Sequence, residues 1–168
     1  MLILLIIMNK VKFLPILFII AACTTAPSLI NYFVSPGIMQ YFIPPTDWNA
    51  HDSRAKAQLD ITYRNEAGIP AIINITFIGE NSMPREAVSV SLNGDGVNYP
   101  LNIITVIYRD SRKRELRISA EGDPNSLITL LEAESITLSA EIDGLEYTYT
   151  PGKHFITLKN DFLDVIIY

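Results

Sequence analysis

Residues 59–78 read LDITYRNEAGIPAIINITFI, and this stretch decides the class of fold. In residues 59–64 every second side chain is apolar, which is the pattern of a strand with one buried face. Residues 71–78 are rich in isoleucine, threonine and phenylalanine, which favour strands. The polar, glycine-containing residues 65–68 separate the two runs, so the stretch predicts two strands divided by a turn.

The same signals continue through the rest of the chain. Further strands are predicted at residues 88–92, 101–108, 115–120, 136–142 and 145–149. Asn93-Gly94-Asp95-Gly96 and Asp143-Gly144 are residue types that tolerate the positive φ angles of tight hairpins. The strands are therefore expected to be short and mostly antiparallel.

Two segments carry helical spacing instead. A cap at Asn125 or Ser126 would begin a short helix whose apolar face is formed by leucines in residues 127–131. Apolar residues in 155–166 also repeat at helical spacing, and although residues 165–168 suit a strand as well, we favour the helix. The predicted fold is mainly β, an antiparallel β-sandwich or small barrel with one or two short helices.

Residues 23–50 have the composition of a lead-in to this domain. Several prolines and glycines exclude a long helix there. Tyr32-Phe33-Val34 and Tyr41-Phe42-Ile43 are too apolar for a flexible linker. We expect them to pack on the domain as short edge strands; the alternative is a strip that binds a partner. The predicted organisation is a signal peptide at 1–22, a tether and lead-in at 23–50, and a β-rich domain at 51–168.

The charge of the chain argues against one class of function. It has 13 Lys and Arg against 18 Asp and Glu, and without Lys10 and Lys12 of the first 22 residues 11 basic side chains remain, for a net charge of −7. Nucleic-acid binding normally requires a basic face that replaces condensed counterions. An acidic domain of this kind is not expected to bind nucleic acid in general.

The N-terminal segment has the layout of an export signal. Met8-Asn9-Lys10-Val11-Lys12 is a short basic region, residues 13–20 are an apolar run, and Ala21-Ala22 supply the small residues that a signal peptidase accepts. We expect the physiological start to be Met8 and residues 1–7 to be a start-site artefact.

Cys23 follows this signal directly and is the only cysteine in the chain. A lone thiol excludes an internal disulfide and a multi-cysteine metal site, and it is unusual in an exported protein unless it is blocked. Ile20-Ala21-Ala22-Cys23 resembles the lipobox of bacterial lipoproteins, with isoleucine where that pattern prefers leucine. The resemblance implies cleavage between Ala22 and Cys23 and attachment of diacylglycerol to the Cys23 sulfur.

The resemblance also implies a location. Thr24-Thr25 contain no acidic retention signal, so the implied destination is the outer membrane where there is one. The alternative is an uncleaved membrane anchor, because residues 1–22 approach the ~20 apolar residues of a spanning helix. Lys10 and Lys12 divide that run, which favours the lipoprotein. Either interpretation places the domain outside the cytoplasm, in the cell envelope.

Signals for catalysis are weak. His51 and His154 have no zinc-ligand or metalloprotease spacing, and no Gly-x-Ser-x-Gly motif is present. Residues 93–96 resemble an acidic calcium loop only faintly, because no carboxylates are spaced to complete six to eight oxygen ligands. We therefore assign no catalytic residue, metal or cofactor, and expect His154 to cap or flank the last element.

One cluster is a candidate contact for an anionic partner. Arg112, Lys113 and Arg114, with Arg109 and Arg117 nearby, form the most basic stretch of an acidic protein. They could meet an envelope lipid phosphate or an acidic protein, although a solvated hairpin tip is the favoured interpretation. The sequence thus favours a non-enzymatic, lipid-anchored binding or assembly domain; the alternative is a small extracytoplasmic enzyme, hydrolase-like, with an unrecognised site.

Overall fold

The computed structural model describes residues 28–167. The strands and helices among these residues are β1 Ile30–Ser35, β2 Ile38–Ala50, β3 Lys56–Arg64, β4 Ala71–Ile78, β5 Ala87–Gly94, β6 Val97–Asp110, β7 Glu115–Gly122, α1 Pro124–Glu132, β8 Ile136–Ile142, β9 Leu145–Pro151 and α2 Lys153–Ile167.

The strands form a closed antiparallel barrel. The order around the sheet is β1-β2-β3-β4-β7-β6-β5-β8-β9, and β9 returns to pair with β2 through Trp48↔Pro151, Asn49↔Thr150 and Ala50↔Tyr149. Eight strands thus close the barrel, and β1 lies outside it as an extra strand on β2. The prediction of a mainly β fold with short helices is confirmed, and of its two alternatives the small barrel is the one observed.

Alternating apolar side chains fill the barrel. Leu59 of β3 lies opposite Ile75 of β4, which lies opposite Ile118 of β7, and all three are buried. Cross-strand neighbours of this kind contact one another on the same face of a sheet. An eight-stranded barrel is just wide enough for such side chains to occupy its interior, so the centre is a packed core.

The first barrel strand corrects the predicted domain boundary. Residue 51 was expected to begin the domain, but β2 already supplies buried Tyr41, Ile43 and Trp48 to the core. The prolines at 44–45, which we interpreted as punctuation, lie in a bulge where the register on β3 shifts between Ile43 and Thr46. Because no ladder partner is assigned to either proline, their missing N–H groups break no ladder hydrogen bond.

The short helix α1 is confirmed, but its cap is not the predicted one. Asp123 is the N-cap: its side chain accepts hydrogen bonds from the backbone N–H of Ser126 at 2.8 Å and from the Ser126 hydroxyl at 2.7 Å. Pro124 then occupies the first turn, where a missing N–H is harmless. The two predicted caps, Asn125 and Ser126, therefore lie inside the helix.

The C-terminal segment is the predicted helix. Phe155, Leu158 and Phe162 of α2 are buried, and the ring of Phe162 lies 5.8 Å and 5.5 Å from the rings of Tyr41 and Tyr63 in edge-to-face contacts. Since these two tyrosines face the interior, α2 covers the barrel at the end where β3 finishes.

A buried lysine joins the two helices. The Lys159 ammonium donates a hydrogen bond of 2.7 Å to the carbonyl of Ala133, which follows the last turn of α1. A cation at a helix C-terminus is favourable because the unsatisfied carbonyls there carry partial negative charge. Burial lowers the pKa of Lys159, and the charge of Asp95 opposes that shift. The two helices are therefore fixed to each other over the barrel.

Candidate functional site

The predicted lipid-attachment site lies outside the described residues. Cys23 and Ala22 precede Ser28, where the description begins. The cleavage position and the acylated sulfur therefore remain predictions from the sequence. What the structure does place is the chain that follows, beginning with β1 seven residues after Cys23.

The hairpin formed by β1 and β2, residues 30–43, places its two aromatic segments differently. Tyr41 and Ile43 of β2 are buried in the core, as expected for strands that pack on the domain. Tyr32, Phe33 and Val34 of β1 are exposed instead, with Tyr32 48% exposed and Phe33 79% exposed; because adjacent residues of a strand alternate, Tyr32 and Phe33 lie on opposite faces of β1. The hairpin thus has one strand in the barrel and a largely exposed apolar strand beside it.

Specific polar contacts hold this hairpin in place. The backbone N–H of Met39 donates to the side-chain oxygen of Asn65 at 2.6 Å, and the N–H of Asn65 donates to the Met39 carbonyl at 3.2 Å. The Gln40 amide donates to the Tyr32 hydroxyl across the two strands. The turn of the hairpin passes through Gly37, whose φ of 78° favours glycine. The exposed side chains are therefore displayed on an ordered hairpin rather than on a loose loop.

The basic turn, residues 111–114, is exposed as expected, but its members differ in role. Asp110 accepts hydrogen bonds from the backbone N–H groups of Arg112 at 2.9 Å and Lys113 at 3.1 Å, so the acidic residue shapes the turn. The Arg114 guanidinium donates to the carbonyl of Glu80, and Arg114 has a φ of 59°. Arg114 thus stabilises the turn, which leaves Arg112 and Lys113 as the side chains suited to an external anion.

Arg117 does not join this cluster. Its guanidinium donates to the buried carboxylate of Asp60 and, at 2.7 Å, to the Thr76 hydroxyl. Asn74 donates to the other oxygen of Asp60 at 2.8 Å. These residues lie on the outer side of β3, β4 and β7, so the group is a structural ion pair and not a binding site.

The hairpin and the basic turn lie at opposite ends of the barrel. Gln40, near the tip of the hairpin, pairs with Arg64 at the C-terminal end of β3. Lys56, at the other end of β3, pairs with Ile78, which pairs with Glu115 directly after the basic turn. The nine residues of β3 therefore separate the two features, a distance of about 26 Å at ~3.3 Å per residue.

A second apolar strip lies on β6. Residues 97–101 of this strand pair with β5 and residues 102–110 pair with β7, so in the described residues each half is bonded on one side. Exposed apolar side chains follow the second half: Ile104, Val106, Ile107 and Tyr108. Contiguous exposed apolar surface of this kind marks interaction sites more often than catalytic ones.

One concavity lies at the basic-turn end, with a volume of about 280 Å³. It is lined by Glu80, Asp143, Tyr147 and Tyr149, among others. The Asp143 carboxylate accepts hydrogen bonds from the backbone N–H groups of the segment before β5, at 2.9 to 3.1 Å, so it orders that loop. Burial, with a smaller contribution from Tyr147, raises the pKa of Tyr149, which keeps that phenol neutral.

The histidines do not combine with this concavity. The exposed His51 lies 3.0 Å from the carboxylate of its neighbour Asp52. His154 lies in the first turn of α2, as expected of a residue flanking the last element, and its Nε2 atom is buried without a hydrogen-bond partner among residues 28–167. Neither borders the concavity among its described lining residues. The two histidines therefore contribute nothing to the described lining of this concavity.

The loop at residues 93–96 is a hairpin turn, as predicted. Asp95 and Gly96 have φ angles of 47° and 83°. Asp95 accepts hydrogen bonds from the Glu134 N–H at 2.7 Å and the Ser135 hydroxyl at 3.2 Å, which lower the pKa of its carboxyl. This carboxylate anchors the chain that follows α1. Among the described residues, no group of three or more His, Cys, Asp or Glu is placed to hold a metal ion.

Two further results bear on identity. Within residues 28–167, no helix is both long and apolar enough to cross a membrane. Comparison of the chain with protein-family models, with curated proteins and with solved structures found no match.

Proposed function

We propose that this chain is a lipid-anchored protein of the bacterial cell envelope, attached through Cys23, whose barrel is a binding or assembly domain. The observation that carries the proposal is the succession of a basic segment, an apolar run and Ala21-Ala22 directly before the only cysteine. The lipobox resemblance also implies delivery to the outer membrane, where there is one, because Thr24-Thr25, directly after Cys23, contain no acidic retention signal.

The start of the barrel supports a short attachment. Only residues 24–29 separate Cys23 from the first strand, in place of the tether of residues 23–50 expected from the sequence. Seven extended residues reach ~25 Å at most, so a barrel tethered at Cys23 stays close to its membrane. Two or three acyl chains on one residue give stable attachment, which a single chain does not.

Binding is favoured over catalysis by the exposed surfaces. The exposed apolar side chains of β1 and of the strip on β6 are of the kind expected of an interaction domain. A small hydrolase remains the alternative, and the concavity lined by Glu80, Asp143 and Tyr149 is the observation on which it would depend. The Asp143 carboxylate is already bonded to backbone N–H groups, so of these two acidic side chains Glu80 is the one better placed to act as a base.

The basic turn is a second candidate contact. It suits an acidic partner that approaches from the end of the barrel opposite the hairpin. Changing Arg112 and Lys113 to serine, with Arg114 left intact because it bonds to Glu80, should weaken capture of that partner and leave folding unchanged. Unchanged capture would show that Arg112 and Lys113 do not contact the partner.

In-cell cross-linking tests the proposed function as a whole. The full-length tagged protein and a Cys23→Ser control are cross-linked in living cells, and the products are identified by mass spectrometry. A discrete partner that is lost in the control supports a membrane-localised binding domain. A lipidated protein that captures no partner contradicts the binding function and favours the enzyme, for which substrate screens on the barrel are the next measurement.

A further inference from the structure

We propose that β1, the exposed edge strand of the β1–β2 hairpin, lies against the surface of the bilayer in which the Cys23 lipid is embedded. The partner is a lipid surface, and the contact is apolar rather than electrostatic. The proposal deepens the anchoring described above, because it assigns the barrel an orientation as well as a tether.

The first argument is the chemistry that the hairpin displays. Ile30, Tyr32, Phe33 and Val34 are all exposed, and Phe33 is the most exposed at 79%. Tyrosine combines an apolar ring with a polar hydroxyl and is enriched where membranes meet water. The Gln40 amide donates to the Tyr32 hydroxyl, and the backbone groups of β1 that face β2 are paired with it, so these groups approach lipid with their hydrogen bonds made.

The second argument is the distribution of charge. No Asp, Glu, Lys, Arg or His occurs from Phe13 to Thr46, so the hairpin belongs to the same uncharged run as Cys23. Charged side chains resume at Asp47 and recur through the rest of the barrel. A charge near hydrocarbon is expensive to desolvate. Of the two apolar strips, β1 contains no charged residue and the nearest ion pair is that of Arg64, which also bonds to Gln40, with Glu66, whereas the β6 strip itself runs into Arg109 and Asp110.

The third argument is reach. Ile30, the first residue of β1, lies seven residues beyond Cys23, and an extended chain of that length reaches ~25 Å at most. A lipid on Cys23 therefore keeps β1 within a short distance of the bilayer. Because the lipid already holds the chain at the membrane, contact between β1 and the bilayer is an intramolecular step, and even a weak apolar contact is populated.

The orientation has a consequence for the rest of the molecule. With the hairpin on the bilayer, the basic turn is directed away from it, about 26 Å distant along β3. Asp161 and Asp164 flank Phe162 on the helix that covers the hairpin end. The contact is therefore expected to need no anionic lipid and to be insensitive to salt.

Fluorescence quenching by brominated lipid tests this orientation. Phe33→Trp places an indole on the hairpin, and Leu145→Trp is the matched control, since Leu145 is 60% exposed in the β8–β9 turn at the other end of the barrel. Trp48, the only native tryptophan, is fully buried and gives a constant background. The full-length variants, purified from membranes, are reconstituted into vesicles of phosphatidylethanolamine and phosphatidylglycerol with dibrominated acyl chains, and acylation of Cys23 is read by intact mass.

We expect loss of most of the emission added by Phe33→Trp, little loss for Leu145→Trp, and the same result in 0.5 M salt, about a 4 Å Debye length. With Cys23 acylated, an unquenched Phe33→Trp, or equal quenching of the two variants, overturns the orientation while the anchor stands. Quenching of Phe33→Trp alone with Cys23 unmodified supports the hairpin contact and overturns the lipid anchor. An unmodified Cys23 without selective quenching overturns both.

Discussion

Replacing Phe162 by alanine tests how α2 closes the barrel. Its side chain is fully buried and makes edge-to-face contacts with the rings of Tyr41 and Tyr63. Truncation of a buried phenylalanine typically lowers the free energy of unfolding by ~3–5 kcal/mol. Each aromatic pair adds ~0.5–1.5 kcal/mol beyond burial, so we expect a loss near the upper half of that range, about 4–5 kcal/mol.

Urea denaturation of a soluble form that begins at Thr24 measures this loss. Trp48 fluorescence is a suitable signal because its ring lies 4.7 Å from that of Phe155 on the same helix. Val165→Ala is the matched control: Val165 lies on α2 but is 45% exposed, so its free energy of unfolding should change by no more than ~0.5 kcal/mol. A loss below ~1.5 kcal/mol for Phe162→Ala, or equal losses for both variants, would refute the packing of α2 on the barrel.

Two further predictions concern charge inside the fold. Arg117→Met should lower the free energy of unfolding by ~3–5 kcal/mol because it leaves the buried carboxylate of Asp60 without its ion-pair partner. Adding Asp60→Leu to the same chain should recover much of that loss. In urea denaturation, a double variant no more stable than Arg117→Met would contradict this prediction. Burial raises the pKa of Tyr149 above its unfolded value of ~10. The neutral phenol therefore stabilises the fold fully below pH ~10, and the free energy of unfolding falls above that pH by up to ~1.4 kcal/mol per pH unit. Unfolding measured between pH 9 and 11 should show a shallower decline for Tyr149→Phe, and an unchanged decline would exclude this tyrosine as a cause.

The strands could be predicted from the sequence because alternation is a local signal. β4 begins and ends at the predicted residues 71 and 78, since Ile73 and Ile75 face the core in regular alternation. The alternation fails where a bulge intervenes: Val88 has the parity of the buried Val90 and Leu92, yet it is exposed, because the register against β8 shifts between Ala87 and Ser89. Bulges carry no reliable sequence signal in such short strands.

Closure of the barrel could not be predicted in the same way. It depends on three residue pairs between β2 and β9 that join positions about one hundred residues apart, such as Asn49↔Thr150. A sandwich would use the same alternation without that pairing. The position of Pro44-Pro45 added to the difficulty, because prolines normally interrupt a strand and here fit a bulge.

For the candidate surfaces too, features set by neighbouring residues could be predicted, and features set by residues remote in sequence could not. The exposure of the basic turn follows from its composition, whereas the separation of Arg114 and Arg117 from that cluster depends on Glu80 and Asp60, which are remote in sequence. The exposure of Phe33 was only one of two alternatives, because it depends on which strand of the hairpin enters the barrel.

Intact mass spectrometry of the protein extracted from its native membrane tests the central claim most directly. The account predicts a mature chain that begins at Cys23 and carries the mass of a diacylglyceryl group, with further acylation of its amine where the host performs it. In a Cys23→Ser variant the lipid mass should be absent. A membrane-extracted chain that retains residues 8–22 with an unmodified Cys23, or a chain processed at another position, would contradict the lipid anchor.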